Sequence, residues 1–292
     1  MKASEWLKRA KKEKFAIGAF NAASIETLKA VVSAAKKLRS PVIIEASYSE
    51  VEFIGMRELT ATVRALERDT GVPILLNLDH APSLISCQNA IASGFDLIHF
   101  DGSKLPYEKN LEIAKIVTGI AHEKGILVEG EIDNINALGA SSSDHRHTNI
   151  ETVRDEKLYT DPKLAASFVK ETKVDIFASF IGNVHGLYSE AKTLQMDLLL
   201  KIGEGLPDTF LSLHGGSGIS AEQIKESITI GIVKINVNSE LRVAFRDALK
   251  KTLEEEPMKD EVAIYKIMPE AIAAMQRIVE EKILLFGSAG KI

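Results

Sequence analysis

Short apolar runs alternate with segments of helical period along this chain, and the alternation repeats eight times. The runs are FAIGAFN (15–21), PVIIEAS (41–47), PILLNLDH (73–80), FDLIHFDGS (95–103), ILVEGEI (126–132), VDIFASFIG (174–182), TFLSLHGGSG (209–218) and GIVKINVNS (231–239). They read as strands buried on both faces, because a parallel sheet covered by helices gives continuous apolar runs rather than alternating ones. Helical patterns follow at 24–38, 56–68, 83–93, 107–124, 161–172, 196–203, after Ser220 and at 240–255, with a short leading helix over 5–12 and a last one over 269–285. Eight β/α units predict an α/β fold, a (β/α)8 barrel, for which 292 residues are ample. No low-complexity linker interrupts the pattern, so a single barrel domain over 1–292 with a C-terminal helical extension is expected.

The stretch PILLNLDHAPS (73–83) fixes where chemistry belongs. Its apolar run passes straight into Asp79 and His80, and ligands of parallel α/β proteins bind at the carboxyl ends of strands. His185 and His214 stand at two later strand ends. Three neutral imidazoles suit a catalytic zinc or another divalent transition metal, since they leave a fourth position open. The other four histidines (99, 122, 145 and 147) read as ordinary polar residues. Neighbours in a strand point to opposite faces, so Asp79 and His80 share the site only if the strand ends there. Asp79 is then a proton-transfer carboxylate, the structural alternative being a cap on the next helix. Asp101, and Glu129 with Glu131 two residues apart, fit partners of the histidines or a second cation site. The HGGSG turn (214–218) and NVNSE (236–240) follow the seventh and eighth strands, where barrels bind phosphate on backbone N–H groups and a helix N-terminus. A divalent metal, a carboxylate and a phosphate pocket at one barrel mouth suit carbon–carbon chemistry on a sugar phosphate.

Composition limits the partners. Net charge is −5 with no basic tract, so nucleic-acid binding is not expected. No apolar run reaches the roughly 20 residues of a membrane span. The single Cys87 excludes an internal disulfide, and the charged N-terminus does not resemble a signal peptide, so a cytoplasmic location is expected. The irregular 133–160 stretch, rich in Ser, Asn, Asp and His, reads as a lid or binding loop.

The motifs LDH (78–80), DGS (101–103), VEGEI (128–132), GNVHGLY (182–188), LHGGSG (213–218) and KINVNSELR (234–242), in this order, resemble the class II fructose-bisphosphate/tagatose-bisphosphate aldolases. The resemblance implies His80, His185 and His214 as zinc ligands and Asp79 as the acid/base on the aldehyde oxygen. It associates Asp101 and Glu131 with a second or alternative metal site. It places Gly186, Gly215, Ser217, Asn236, Asn238 and Ser239 in a dihydroxyacetone-phosphate pocket where a monovalent cation, sodium or potassium, also sits, and Gly216 of the HGGSG turn counts among the expected phosphate-binding residues. A homodimer or homotetramer acting on fructose 1,6-bisphosphate or a related sugar phosphate is implied. The chain departs from the family in DNINALGASSSDH, which lacks the usual acidic pair of a mobile loop, and in Lys104 after DGS. These departures bear on the aldehyde acceptor, and Asp144 or Glu151 stand as substitutes for the loop acid. Two rival readings remain: a Schiff-base aldolase using Lys104 or Lys234, and a non-catalytic sugar-phosphate binder.

Overall fold

The computed structural model describes residues 1–133, 158–188 and 192–292, and the backbone of 144–145. A leading helix α1 (Ala3–Glu13) precedes β1 (Ile17–Asn21), α2 (Ile25–Leu38), β2 (Val42–Ser47), α3 (Tyr48–Ile54) and α4 (Met56–Thr70). Then come β3 (Ile74–Ala81), α5 (Leu84–Ser93), β4 (Leu97–Phe100), α6 (Tyr107–His122), β5 (Leu127–Glu131) and the two-residue β6 (Asp144–His145). The chain continues through α7 (Pro162–Thr172), β7 (Ile176–Ala178), β8 (Leu187–Tyr188), α8 (Met196–Gly205), β9 (Phe210–Leu213) and α9 (Ala221–Ile230). It ends with β10 (Ile232–Val237), α10 (Ser239–Glu254) and α11 (Ile264–Leu285). Eight strands close into a parallel barrel in the order β1-β10-β9-β7-β5-β4-β3-β2, while β6 pairs with β8 outside it. The fold is the (β/α)8 barrel that the alternation predicts. No described helix is long and apolar enough to cross a membrane.

Boundaries differ from the expectation where local chemistry intervenes. The run 209–218 is strand only to Leu213, because Gly215 adopts φ 61° and turns the chain out of the sheet. Helix α3 escapes the periodicity but has a capping box: Ser47 Oγ accepts from Glu50 N, and Glu50 Oε2 accepts from Ser47 N at 2.8 Å. Helix α11 starts at Ile264, so Pro269 lies within it rather than at its first turn. The helix packs on α2 and α10, and its end returns to the barrel where Ala16 N donates to Phe286 O at 3.0 Å.

Side chains of alternate residues fill the barrel in layers. Ile17, Ile43, Leu75, Leu97, Leu127, Ile176, Phe210 and Val233 pack with Trp6, Leu7 and Ala10 of α1, which closes the amino end. Two residues further along their strands, Glu45, Asn77, His99, Glu129 and Ser212, joined by Lys234, form a buried polar layer. Two further again stand Asp79, Asp101, Glu131 and His214, with Asn236 beside them.

Candidate active site

A bulge makes Asp79 and His80 neighbours in one site. The β3 strand does not end at His80. Its register against β4 shifts between Leu78 and Ala81, and His80 takes the left-handed conformation, φ 48°. That breaks the two-residue alternation, so consecutive side chains face the same cavity. A non-glycine residue held there costs about 1–3 kcal/mol, the kind of strain that concentrates at functional sites.

Carboxylates fix the orientation of two imidazoles. His80 Nδ1 lies 2.9 Å from Asp101 Oδ2, and His214 Nε2 lies 2.8 Å from Glu129 Oε1. Each carboxylate takes the proton-bearing nitrogen, so the opposite nitrogens carry the lone pairs. Those two, His80 Nε2 and His214 Nδ1, face each other at 3.1 Å. Asn236 Nδ2 donates to the same His214 Nδ1 at 3.4 Å. Facing lone pairs repel unless a cation or proton lies between them. Two nitrogens bound at the zinc distance in a tetrahedral site would be about 3.3 Å apart. Both carboxylate oxygens of Glu131, fully buried beside His80, lack hydrogen-bond partners among the described residues, and Oε1 is 3.4 Å from His80 Nδ1. The donor set therefore fits a divalent metal. Ligand atoms of Asp79, His80, His99 and His214 cluster within 4.8 Å of one another, and those of His80, Asp101 and Glu131 form a second cluster.

The electrostatics follow from burial and these contacts. Burial pulls His214 down to about 4, so it is a neutral imidazole at ordinary pH. Burial alone would also lower His80, but the surrounding Asp79, Asp101 and Glu131 push it well above its usual value, so without a cation between the facing nitrogens a proton on His80 Nε2 takes its place. Asp79 goes the other way: burial would raise it, and the neighbouring His80 and His99 hold it well below the ordinary carboxylate range. Burial, then the charge of Asp101, pushes Glu131 up.

Beneath the imidazoles, Lys234 Nζ donates to Glu129 Oε2 at 2.7 Å and lies 3.5 Å from Glu45 Oε2. Ser212 Oγ donates to Glu129 Oε1 at 2.5 Å, and Asn77 Nδ2 to Glu45 Oε2 at 3.1 Å. Glu45 is thus part of the ionic layer, where burial and then Asp79 raise its pKa to about 8. Burial opposes the charge on Lys234, but Glu129 and Glu45 outweigh it and raise its pKa. A lysine held protonated is no nucleophile, which argues against a Schiff base on Lys234. Lys104 is exposed and lines the cavity.

The glycine turn sits on the other side of the same cavity of about 550 Å³, which is lined by Asp79, His80, His185, Gly186, Gly215, Ser217, Asn236, Asn238, Ser239, Lys104 and Arg242 among others. A side chain at Gly215 would put its Cβ 2.4 Å from Val184 O, so two loops meet where only glycine fits. Gly216 N donates to Asn236 O at 3.0 Å, so that N–H shapes the turn. Ser217 Oγ is buried without a hydrogen-bond partner among the described residues. Ser239 opens the 16-residue α10, whose N-terminus carries partial positive charge. The Asn236 side chain turns to Asp79, donating to Oδ1 at 3.2 Å. Asn21 Nδ2 donates to Glu50 Oε2 at 2.9 Å and lies 3.5 Å from Asp79 Oδ2.

The structure brings Asp79, His80, His214, Asp101 and Glu131 together. His185 stands at the cluster's margin, its ring centroid 5.3 Å from that of His80 and 5.9 Å from that of His214. Asn183 ties its loop to β9, donating to His214 O at 3.2 Å. His99, read from sequence as an ordinary polar residue, is fully buried in the site, its Nδ1 accepting from His80 N at 3.3 Å. It shares a strand face with Asp101, two residues on, and that spacing is the signal that marks it. Glu129 belongs to the site by the same spacing from Glu131. His122 pairs instead with Asp175 at 2.8 Å on the surface. Most of the 133–160 stretch, with Glu151, lies outside the described residues, and Asp144 is described only as backbone.

A closed parallel barrel with ionisable residues gathered in its carboxyl-end mouth has the build of a barrel enzyme. The family model described as fructose-bisphosphate aldolase class-II matches residues 1–291. The chain is 36% identical over 290 residues to the 6-phospho-5-dehydro-2-deoxy-D-gluconate aldolase of Bacillus subtilis (strain 168), covering 98% of this chain and 95% of that one. It is 34% identical over 287 residues to the sulfofructosephosphate aldolase of Alkalicoccus urumqiensis, covering 98% and 96%. The crystal structure of the YdjI aldolase from Escherichia coli K12 superposes with a TM-score of 0.83 at 29% identity, covering 100% of this chain and 99% of that one. The chain belongs to the class II fructose-bisphosphate aldolase family, and is an aldolase, a carbon–carbon lyase.

Proposed function

We propose that this aldolase is metal-dependent and reversibly cleaves a ketose phosphate to dihydroxyacetone phosphate and an aldehyde. The observation that supports the reading is one cavity lined by Asp79, His80 and His185, with His214 buried directly against His80, and by the Ser217–Ser239 cradle. His80, His214 and His185 would hold zinc or another divalent transition metal, which polarises the substrate carbonyl. Asp79, ionised and held by Asn236, takes the hydroxyl proton at the carbon that becomes the aldehyde as the carbon–carbon bond breaks; the electron pair goes to the donor half, which takes a proton from water to leave as dihydroxyacetone phosphate, and the condensation reverses these transfers. Glu129 and Asp101 keep the two imidazoles in the tautomers that present their lone pairs inward. The Ser217 hydroxyl and the first N–H groups of α10 hold the phosphate of the donor half, fixing the reacting carbons against Asp79.

The aldehyde half carries a second acidic group in this reading. Lys104 lines the cavity with positive charge, and Arg242 lines it while paired with Glu50 at 2.6 Å. Two relatives are named for substrates with such a group, a gluconate and a sulfo sugar. The test is retro-aldol cleavage of fructose 1,6-bisphosphate, tagatose 1,6-bisphosphate, fructose 1-phosphate, 6-deoxy-6-sulfofructose 1-phosphate and 6-phospho-5-dehydro-2-deoxygluconate, with dihydroxyacetone phosphate as the readout. Cleavage only of members with a second anion supports the assignment. Equal cleavage of fructose 1-phosphate would remove the need for that anion.

A further inference from the structure

Glu50 is a buried carboxylate that the proposed chemistry does not use. It lies on α3, just beyond the end of β2, and is 7% exposed. Its Oε2 accepts from Ser47 N at 2.8 Å, from Ser47 Oγ at 3.0 Å and from Asn21 Nδ2 at 2.9 Å, and its Oε1 accepts from Arg242 at 2.6 Å. The Arg242 guanidinium offsets the cost of burying this charge. The Ser47 contacts cap α3, a task that Glu or Gln performs at this position of any helix. The Asn21 contact lies outside that device, and it ties α3 to the end of β1.

Asn21 is itself buried and stands between two carboxylates. Its amide nitrogen carries two N–H groups. That nitrogen donates to Glu50 at 2.9 Å and lies 3.5 Å from Asp79 Oδ2, the outer limit of a hydrogen bond. Asp79 Oδ1 is held more closely, by Asn236 at 3.2 Å. At 3.5 Å an N–H is near enough to orient Oδ2 and too far to compete strongly for the lone pair that takes a proton. The last torsion of an asparagine is soft and roughly two-fold, so its contacts decide where the amide faces. The shorter of the two contacts is the one to Glu50, and no hydrogen bond or ion pair among the described residues joins Glu50 to Asp79 directly.

We propose that Glu50 is a positioning residue for Asp79 that acts through Asn21: its carboxylate fixes the asparagine amide, and the amide fixes the face that Asp79 Oδ2 presents to the substrate. This inference rests on the reading of Asp79 as the group that takes the substrate proton. The Ser217–Ser239 cradle is untouched by this chain of contacts, so the contribution falls on turnover and not on phosphate binding.

The experiment is steady-state retro-aldol kinetics on the fastest-cleaved member of the substrate panel that starts with fructose 1,6-bisphosphate, beside crystal structures of the variants. Glu50→Ala removes every one of these contacts. Glu50→Gln keeps an oxygen for Asn21 and Ser47 and gives up the Arg242 side. Glu50→Asp keeps an acid in the first turn of α3 but falls one methylene short of Asn21. Glu50→Ala and Glu50→Asp are expected to lose about 10-fold in kcat with KM within about threefold of the wild type, while Glu50→Gln stays within about threefold in both. In an Asn21→Ala background, Glu50→Ala should cost no further turnover, whereas a merely structural loss would persist there. The crystal structures read the geometry without turnover: the Asn21 amide should leave its place beside Asp79 Oδ2 in Glu50→Ala and keep it in Glu50→Gln. If Glu50→Ala does not fold, Glu50→Asp carries the test. Wild-type kcat in folded Glu50→Ala or Glu50→Asp, a Glu50→Gln as impaired as Glu50→Ala, or an unmoved amide overturns the role. Asp79→Asn with wild-type kcat overturns the reading of Asp79 instead, and is told apart because it needs no variant of Glu50.

Discussion

The Glu129→Gln substitution probes the layer that aims the imidazoles. The carboxylate accepts from Lys234 at 2.7 Å, Ser212 at 2.5 Å and His214 at 2.8 Å, with no exposure to solvent. At an effective dielectric of about 20, a unit pair 2.7 Å apart is worth about 6 kcal/mol of attraction. Desolvation offsets part of this, and removing one partner of a buried pair leaves a loss of about 3–5 kcal/mol because the remaining charge is unpaired. Lys234 would keep only Glu45, at 3.5 Å. Metal affinity should also fall, by about 10- to 100-fold, since the acceptor that orients His214 is weakened. Urea denaturation of the metal-free protein reads the first effect and chelator competition for zinc reads the second. The pH dependence has a definite sign. Glu129 is held well below its usual pKa although burial opposes this, because Lys234, His99 and His214 favour its charge. Its contribution is therefore present above the unfolded carboxylate pKa of about 4.3 and fades as pH falls through the folded value. Lys234 is raised, so its contribution holds below about pH 10.4 and is lost as pH rises through its folded pKa. The cost of the substitution should be greatest where Glu45, with its pKa raised to about 8, is still protonated, and should shrink at higher pH as ionised Glu45 takes over the pairing of Lys234. In a double-mutant cycle with Lys234→Met, the double variant should be much less destabilised than the sum of the singles. Additive losses, or a Glu129→Gln cost below about 1 kcal/mol, would refute this reasoning.

Two further substitutions separate chemistry from architecture. Asp79→Asn keeps an oxygen for the Asn236 contact but cannot take the proton, so kcat should fall about 10²- to 10⁴-fold with KM little changed, measured by steady-state cleavage. Gly215→Ala places a Cβ against Val184 O at φ 61°, and should destabilise by roughly 2–4 kcal/mol in denaturant melts while disturbing the adjoining His185 loop.

Much of the barrel was legible because both of its periods are written in the chain. Doubly buried strands read as apolar runs, and the residues after them, Asp79, Asp101, Glu131 and His214, fall at one end by topology alone. His99 was less visible because a histidine inside an apolar run looks like a satisfied core group. Its role depends on which neighbour across the barrel meets its ring, and strand spacing gives that only once Asp101 is placed. The bulge at His80 was hidden for a similar reason: left-handed backbone at a histidine leaves no compositional trace. Glu45 and Lys234 are 189 positions apart in sequence numbering, and their common contact with the Glu129 layer exists only when the barrel closes.

The central claim is that the facing nitrogens of His80 and His214 hold a divalent metal on which cleavage depends. The most direct measurement is zinc stoichiometry and retro-aldol activity on one preparation, before and after chelator dialysis and after zinc is restored. The account expects one tightly held equivalent, activity lost with the metal and regained with it, and neither property in His214→Ala. Full activity in the metal-free enzyme, or unaltered zinc binding in His214→Ala, would contradict it.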